Sequence, residues 1–326
     1  MPKRSPASSL RKAWQQGVRT VTGQVLRAAR ETAKQPPPHP SPGLGDWIAG
    51  LATGRAGMRR YRLFRPAGLV FGERVPLLVM LHGCGQDAAG FARSTRMNRL
   101  AARERFLVLY PEQSRLANPQ RCWNWFETES GHAQAEAALI LAAIDQVCLL
   151  YPADRDRVAI AGLSAGAGMA ALLATLHPAR FKAVAMHSGV PPGLASSATN
   201  ALRAMRGRSI APEIAAQGAG VWPPLLVIHG SKDRVVASSN AFEAARQWSE
   251  AAGATATRSR SVQRGRRLPM RVVEFKRGRS AAVTLAEIDG LGHAWSGGAA
   301  KEPFSEPGGP DATAMIWRFV AKRFGR

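Results

Sequence analysis

Apolar positions along the chain follow two rhythms. Short unbroken runs recur at PLLVMLHG (76–83), FLVLYPE (106–112), RVAIAG (157–162), AVAMHSG (183–189) and PLLVIHG (224–230). Runs of that length predict strands buried on both faces, because neither face then needs polar residues. Between them, 133–150 sets Ile140, Ile144, Val147 and Tyr151 on one helical face, and 239–252 also reads as a helix. Strand alternating with helix predicts right-handed crossovers, hence the α/β class with a doubly covered, mostly parallel sheet. MRRYRLF (58–64) and MRVVEF (270–275) alternate apolar with polar and suit antiparallel or edge strands. The second is expected to pair with VTLAEI (283–288) across the turn KRGR.

Ahead of this pattern the periodicity changes. Leu10, Trp14, Val18, Val21, Val25 and Ala28 draw one stripe at helical spacing, with Arg11, Lys12, Arg19, Arg27 and Arg30 around it. The loop PPPHPSPG (36–43) separates this arm from the rest, which divides the chain into an arm and linker (1–45) and an α/β domain (46–326). An amphipathic basic helix predicts docking of residues 10–30 on an anionic membrane or another anionic or apolar surface. A helix packed on the enzyme itself and a merely basic tail are the rival readings.

The 326 residues carry a formal charge of +23. Residues 1–40 hold net +7 and residues 251–280 net +8, so 15 of the surplus charges lie in two segments. Such charge favours anionic partners, and a protein that binds anions or an anionic surface is one class of function to weigh. No specific nucleic-acid motif is visible, and the arginine-rich stretch 258–279 reads as a solvated hairpin rather than a binding platform. Cys84, Cys122 and Cys148 are too few for a disulfide scaffold and lack zinc-ligand spacing, so no metal is expected. The basic start is not followed by an apolar signal region, which sets a cytoplasmic expectation, with an extracellular location as the alternative.

Candidate chemistry centres on Gly162-Leu163-Ser164-Ala165-Gly166, between a buried strand and a helix. A serine on that turn is pushed out at the carboxyl end of the sheet, with the helix N-terminus beside it. The plain alternative is a serine that only caps the helix. A nucleophilic serine needs a base and an orienting carboxylate, and downstream HGSKDRVV (229–236) offers Asp233 while GLGHAWSGG (290–298) offers His293. Asp289 competes for the acid, and His82, His187 and His229, which end strands at the same sheet edge, compete for the base. The oxyanion donors expected are the backbone N–H groups of Ala165 and Cys84. Trp123, Trp125 and Trp295 are the candidates for an aromatic substrate cleft, with a role in the core as the rival reading.

LHGCGQ (81–86), TRMN (95–98), LVLYPEQS (107–114), RCWNWF (121–126), GLSAG, HSG, HG-x-x-D and GLGHAWSGG together resemble the poly(3-hydroxybutyrate) depolymerase-like esterases, a group related to feruloyl and acetyl xylan esterases. The resemblance runs over roughly residues 58–322. It implies an α/β-hydrolase fold and serine esterase chemistry on carboxylic esters through an acyl-enzyme, without a cofactor. It also implies the roles given above to Ser164, Asp233, His293, Cys84 and Ala165. Hydroxyalkanoate oligomers or polyester are the first substrate expected, and a feruloyl or acetyl carbohydrate ester the second. Cys84 and Cys122 are further expected to form a disulfide between the oxyanion loop and the aromatic loop, leaving Cys148 free.

Overall fold

In the computed structural model, residues 44–70, 72–209 and 221–325 are described. The amphipathic arm expected at 10–30 lies outside the described residues. In chain order the long strands are β1 (Gly45–Gly54), β2 (Gly57–Pro66), β3 (Val75–Leu81), β4 (Leu107–Pro111), β5 (Ala153–Leu163), β6 (Val184–His187) and β7 (Leu225–Gly230). They are followed by β8 (Thr255–Ala256), β9 (Arg260–Val262), β10 (Met270–Arg277) and β11 (Ser280–Ile288), and then by the short pair β12 (Trp295–Ser296) and β13 (Ser305–Glu306). The helices are α1 (Ala88–Thr95), α2 (Met97–Glu104), α3 (His132–Leu150), α4 (Ala165–Leu176), α5 (Ala198–Met205), α6 (Ser239–Ala252) and α7 (Ala312–Ala321).

The main sheet runs β1-β2-β4-β3-β5-β6-β7-β11-β10-β8, with β9 also paired to β10. From β4 through β11 all neighbours are parallel, and β1, β2, β8, β9 and β10 join antiparallel at the two ends. The unbroken apolar runs are the central strands, and their side chains alternate between two cores. Leu77, Val79, Ile160 and Val227 face α3, α4 and α6, whereas Leu78, Met80, Val108 and Ile228 face α1, α2 and α7. Burial on both faces is why these strands show no polar alternation.

Helix α3 shows the link from sequence to packing most directly. By length and composition it could cross a membrane, yet Ala137, Ile140, Ile144 and Val147 are buried in the core against the sheet. Tyr151, expected on the same face, instead ends the helix in an extended conformation. The following Pro152 disfavours helical geometry for the residue before it. The hairpin expected from 270–288 forms with β10 antiparallel to β11, and β11 also lies parallel to β7, which locks the hairpin into the main sheet. The arginine-rich stretch adds β9 to the outside of β10. Strand β1 has no counterpart among the expected strands: GDWIAGLATG is rich in Gly and Ala, and only Ala52 within it is buried.

The loops after β3 and β4 are tied by a disulfide between Cys84 and Cys122, whose Cα atoms lie 4.3 Å apart, while Cys148 on α3 is buried and free. Closing a segment of 38 residues removes denatured-chain entropy, which on the loop-closure model stabilises by roughly 4 kcal/mol. We predict that the double variant Cys84→Ala/Cys122→Ala loses roughly 2–4 kcal/mol of unfolding free energy in urea titrations. An unchanged midpoint with an unchanged slope would remove the bridge from the stability account.

Candidate active site

The turn between β5 and α4 places the serine. Ser164 has φ +56° and ψ −121°, a conformation that side-chain-bearing residues rarely adopt and that costs of order 1–3 kcal/mol. Crowding enforces it. A Cβ on Gly162 would lie 2.2 Å from the carbonyl oxygen of Gly166, and one on Gly166 would lie 2.2 Å from the carbonyl oxygen of Leu81. Both positions therefore require glycine, and strand β5, helix α4 and the end of β3 close on one another through bare backbone.

Ser164 Oγ stands 3.0 Å from His293 Nε2, and His293 Nδ1 stands 2.7 Å from Asp233 Oδ2. Asp233 follows β7, and His293 sits on the loop after β11, so adjacent strand ends bring the two together. The other carboxylate oxygen, Asp233 Oδ1, accepts from the N–H groups of Val235 and Val236, both at 2.9 Å. Burial pushes this carboxyl upwards, but the hydrogen bond and charge of His293, together with His229 and the Val236 N–H, outweigh it. Asp233 accordingly lies below the ordinary aspartate range. Asp289 is elsewhere: its carboxylate accepts from Ser231 Oγ at 3.0 Å on the exposed side of the loop.

The remaining strand-end histidines brace the backbone. His82 Nδ1–H donates to Gly83 O at 2.8 Å, and its Nε2 accepts from Gln113 N–H at 3.2 Å. His187 Nε2 accepts from Ser296 N–H at 3.1 Å, with Nδ1 3.2 Å from Ser188 Oγ. His229 Nε2–H donates to Val236 O at 2.9 Å and lies 3.5 Å from Asp233 Oδ2. None of the three reaches Ser164, and all are buried.

Two backbone donors flank the serine. Ala165 N–H is at the first position of α4, where no intrahelical acceptor exists. In the loop after β3, Gly83 N–H goes to Gln86 Oε1, Gly85 N–H to Gln120 O and Gln86 N–H to Gly83 O, which leaves Cys84 N–H without an acceptor among the described residues. Among the described residues no group of three or more His, Cys, Asp or Glu is placed to hold a metal ion.

A cavity of about 60 Å³ opens beside Ser164, walled by Trp125, Phe126, Val190, Met205, Val235 and the disulfide. Trp125 packs against α4 at Gly168, where a Cβ would lie 3.0 Å from its ring. Trp123 reaches the cavity but is fully buried, its Nε1 donating to His82 O at 3.0 Å beneath the Arg59 guanidinium. The expectation that Trp295 lines the cleft is corrected: it is fully buried, stacked on His187, edge-on to Phe91 and bonded through Nε1 to Thr313 Oγ1. Its indole faces the opposite core from the cavity because it continues β12 behind His187.

Sequence reasoning missed what holds the aromatic loop. Glu136 of α3 is buried and accepts from Asn124 N–H at 3.0 Å, Asn124 Nδ2 at 2.8 Å and Gln113 Nε2. Arg59 of β2 donates to Gln113 Oε1 and Glu112 O. Burial raises the Glu136 carboxyl, against the hydrogen bonds and the Arg59 charge that lower it. The available signal was a carboxylate on the buried stripe of α3, beside Ala133, Ala137 and Ile140.

Burial lowers the His82 imidazole to about 4 and, aided by the charges of His229 and His293, the His187 imidazole to about 3. Below pH about 6.5 the unfolded chain therefore binds protons that the folded chain refuses, and stability falls as pH falls. We predict a loss on the order of 1 kcal/mol per pH unit for each histidine between pH about 6.5 and 4. His187→Gln, which keeps an acceptor for Ser296 N–H, should have a shallower pH dependence of its urea midpoint. Identical slopes would contradict the burial argument.

The geometry invites comparison with known proteins. Residues 59–267 match the family model described as esterase PHB depolymerase. Poly(3-hydroxyalkanoate) depolymerase C of Paucimonas lemoignei is 33% identical over 238 residues, covering 70% of this chain and 56% of that protein. Feruloyl esterase B of Neurospora crassa is 29% identical over 199 residues, covering 56% of this chain and 67% of that protein. Among solved structures, an acetyl xylan esterase from Aspergillus awamori aligns with a TM-score of 0.62 at 20% identity, over 76% of this chain and 94% of that one, a likeness of fold. The match thus spans little more than half the length of the depolymerase. With an α/β-hydrolase sheet, a serine on the strand-helix turn and a family match over more than half its length, the chain belongs to the PHB depolymerase family of esterases.

Proposed function

We propose that the chain is a serine esterase that hydrolyses esters of short aliphatic acids, hydroxyalkanoate oligomers first among them, through an acyl-enzyme on Ser164. The observation that carries this reading is the unbroken line from Asp233 Oδ2 through both nitrogens of His293 to Ser164 Oγ, at 2.7 and 3.0 Å. Ser164 Oγ attacks the acyl carbon while its proton passes to His293 Nε2. The tetrahedral oxyanion accepts from the N–H groups of Cys84 and Ala165, which are fixed before the substrate arrives and need no reorganisation. Asp233, kept ionised, stabilises the imidazolium and holds its Nδ1–H in place. His293 then gives the proton to the leaving alkoxide, the alcohol departs, and the acyl group stays on Ser164. A water molecule yields a proton to His293, attacks the same carbon and releases the carboxylic acid, restoring the serine.

The cavity supports an aliphatic acyl group. Its walls are almost wholly apolar, which suits an aliphatic acyl chain. Acetyl esters, named in relatives that act on xylan, fit the same space and form the second reading. The Cys84–Cys122 bridge supports an oxidising compartment over the cytoplasm. Residues 10–30, outside the described structure, would serve as the attachment to a granule or anionic membrane.

Ser164→Ala is expected to lower kcat/KM for a soluble butyrate ester by roughly 10³-fold or more without loss of fold. Asp233→Asn should cost far more turnover than Asp289→Asn, whose side chain never meets His293. Activity retained in the serine variant, or equal losses in the two aspartate variants, would end this assignment. For substrate class, acetyl, 3-hydroxybutyryl and feruloyl esters of one alcohol are to be compared. Feruloyl should be poorer by roughly tenfold or more, because the apolar walls give its phenolic hydroxyl no partner. Feruloyl turnover equal to 3-hydroxybutyryl would reject the aliphatic-acyl reading.

A further inference from the structure

Away from the serine, one face of the sheet is left uncovered at its β9, β10 and β11 end. Helix α6 covers one side of β10 and β11, whereas α7, on the other side, packs over β7 and leaves a groove of about 700 Å³ between itself and β9, β10 and β11. The floor is aliphatic, from Val262, Met270, Val272 and Ala286. The rims are cationic. Arg260, Arg264 and Arg267, with Lys276 and Arg279 of the hairpin, form one side. Arg318 of α7, with Lys322 and Arg323 just after it, forms the other.

Only two carboxylates line the groove, and both are occupied. Glu274 is shared by Lys276 at 3.0 Å and Arg260 at 3.7 Å, and Asp311 caps α7 by accepting from Ala314 N–H. Arg264, Arg279, Arg318 and Lys322 are exposed and have no carboxylate in ion-pair range among the described residues. Arg267 and Arg323 donate only to backbone carbonyl oxygens, of Gly309 and of Phe319 and Ala281. Cations facing one another across a trough repel, and an anionic chain laid between them relieves that repulsion.

We propose that this groove binds a linear polycarboxylate, a flexible chain whose non-polar backbone lies on the aliphatic floor while its carboxylates meet the arginines of both rims. Planar guanidinium groups, which predominate over lysine here, pair with carboxylates through two parallel hydrogen bonds. The chain's own arm is not the occupant, since residues 1–40 carry net +7 and would be repelled. Single-stranded nucleic acid is disfavoured because bases need bare aromatic faces. The one ring in the groove, Phe319, is buried under the Arg323 guanidinium at 3.8 Å.

The test uses the full chain and poly-L-glutamate as probe, with a single-stranded thymidine oligomer and inorganic polyphosphate as comparators. Arg264→Glu/Arg318→Glu removes a cation from each rim. Arg99→Glu/Arg115→Glu makes the same change of net charge at exposed positions outside the groove. At physiological salt the groove variant should bind polyglutamate roughly tenfold more weakly, and the control should change by less than about threefold. Thermal unfolding checks that both variants fold, and Arg264→Gln/Arg318→Gln replaces the groove variant if it does not. Equal losses in groove and control variants would reduce the effect to general charge and overturn the proposal. So would the absence of polyglutamate binding, or tighter groove-dependent binding of the oligomer or of polyphosphate.

Discussion

The close approach of bare backbone at the ends of β3 and β5 governs this molecule. Gly166 sits where any side chain would strike the carbonyl of Leu81, and Gly162 where it would strike Gly166 itself. Because these segments touch directly, the loop that carries Cys84 and the turn that carries Ser164 form one rigid body. The spacing between the two oxyanion donors and the Cα of Ser164 is then a property of the backbone. Strain at Ser164 is held by the same contacts, and the helix that begins at Ala165 is the element that resists its release.

Around that body, several buried polar groups position neighbouring segments. His82 and His187 are kept neutral by the interior, so each can accept one backbone N–H from a neighbouring segment and tie it to a strand end. Glu136 does the same for the aromatic loop with three accepted hydrogen bonds. Such groups are costly if left unpaired, which makes the alternatives to the native loop conformations unfavourable rather than making the native one unusually strong. The disulfide acts on the same loops from the other side, through the unfolded chain.

Much of this was legible in the sequence because the signals were local. Unbroken apolar runs gave the central strands, and residues just after strand ends gave Ser164, Asp233 and His293. The distinction between Asp233 and Asp289 was open in the sequence and is geometric: the first ends a strand beside the histidine loop, and the second turns outward to Ser231. Strand β1 was invisible because Gly and Ala leave no amphipathic trace. Trp295 misled because a spacing of two residues from His293 fixes the loop but not the face on which the indole lands. The groove was illegible because Arg264 and Arg318 are far apart in sequence and meet only when α7 returns to the sheet.

The arginines at β9 also bear on how the sheet ends. An open sheet presents unpaired N–H and C=O groups at its last strand, a template for pairing with another chain. Here β8 and β9 are two and three residues long, and Arg260 lies within β9 itself. A strand that short offers few consecutive hydrogen bonds, and its charges resist the approach of a second copy carrying the same ones. Guanidinium groups along the groove thereby act as a guard against edge-to-edge aggregation, so loss of charge there would be felt first in the solubility of concentrated protein.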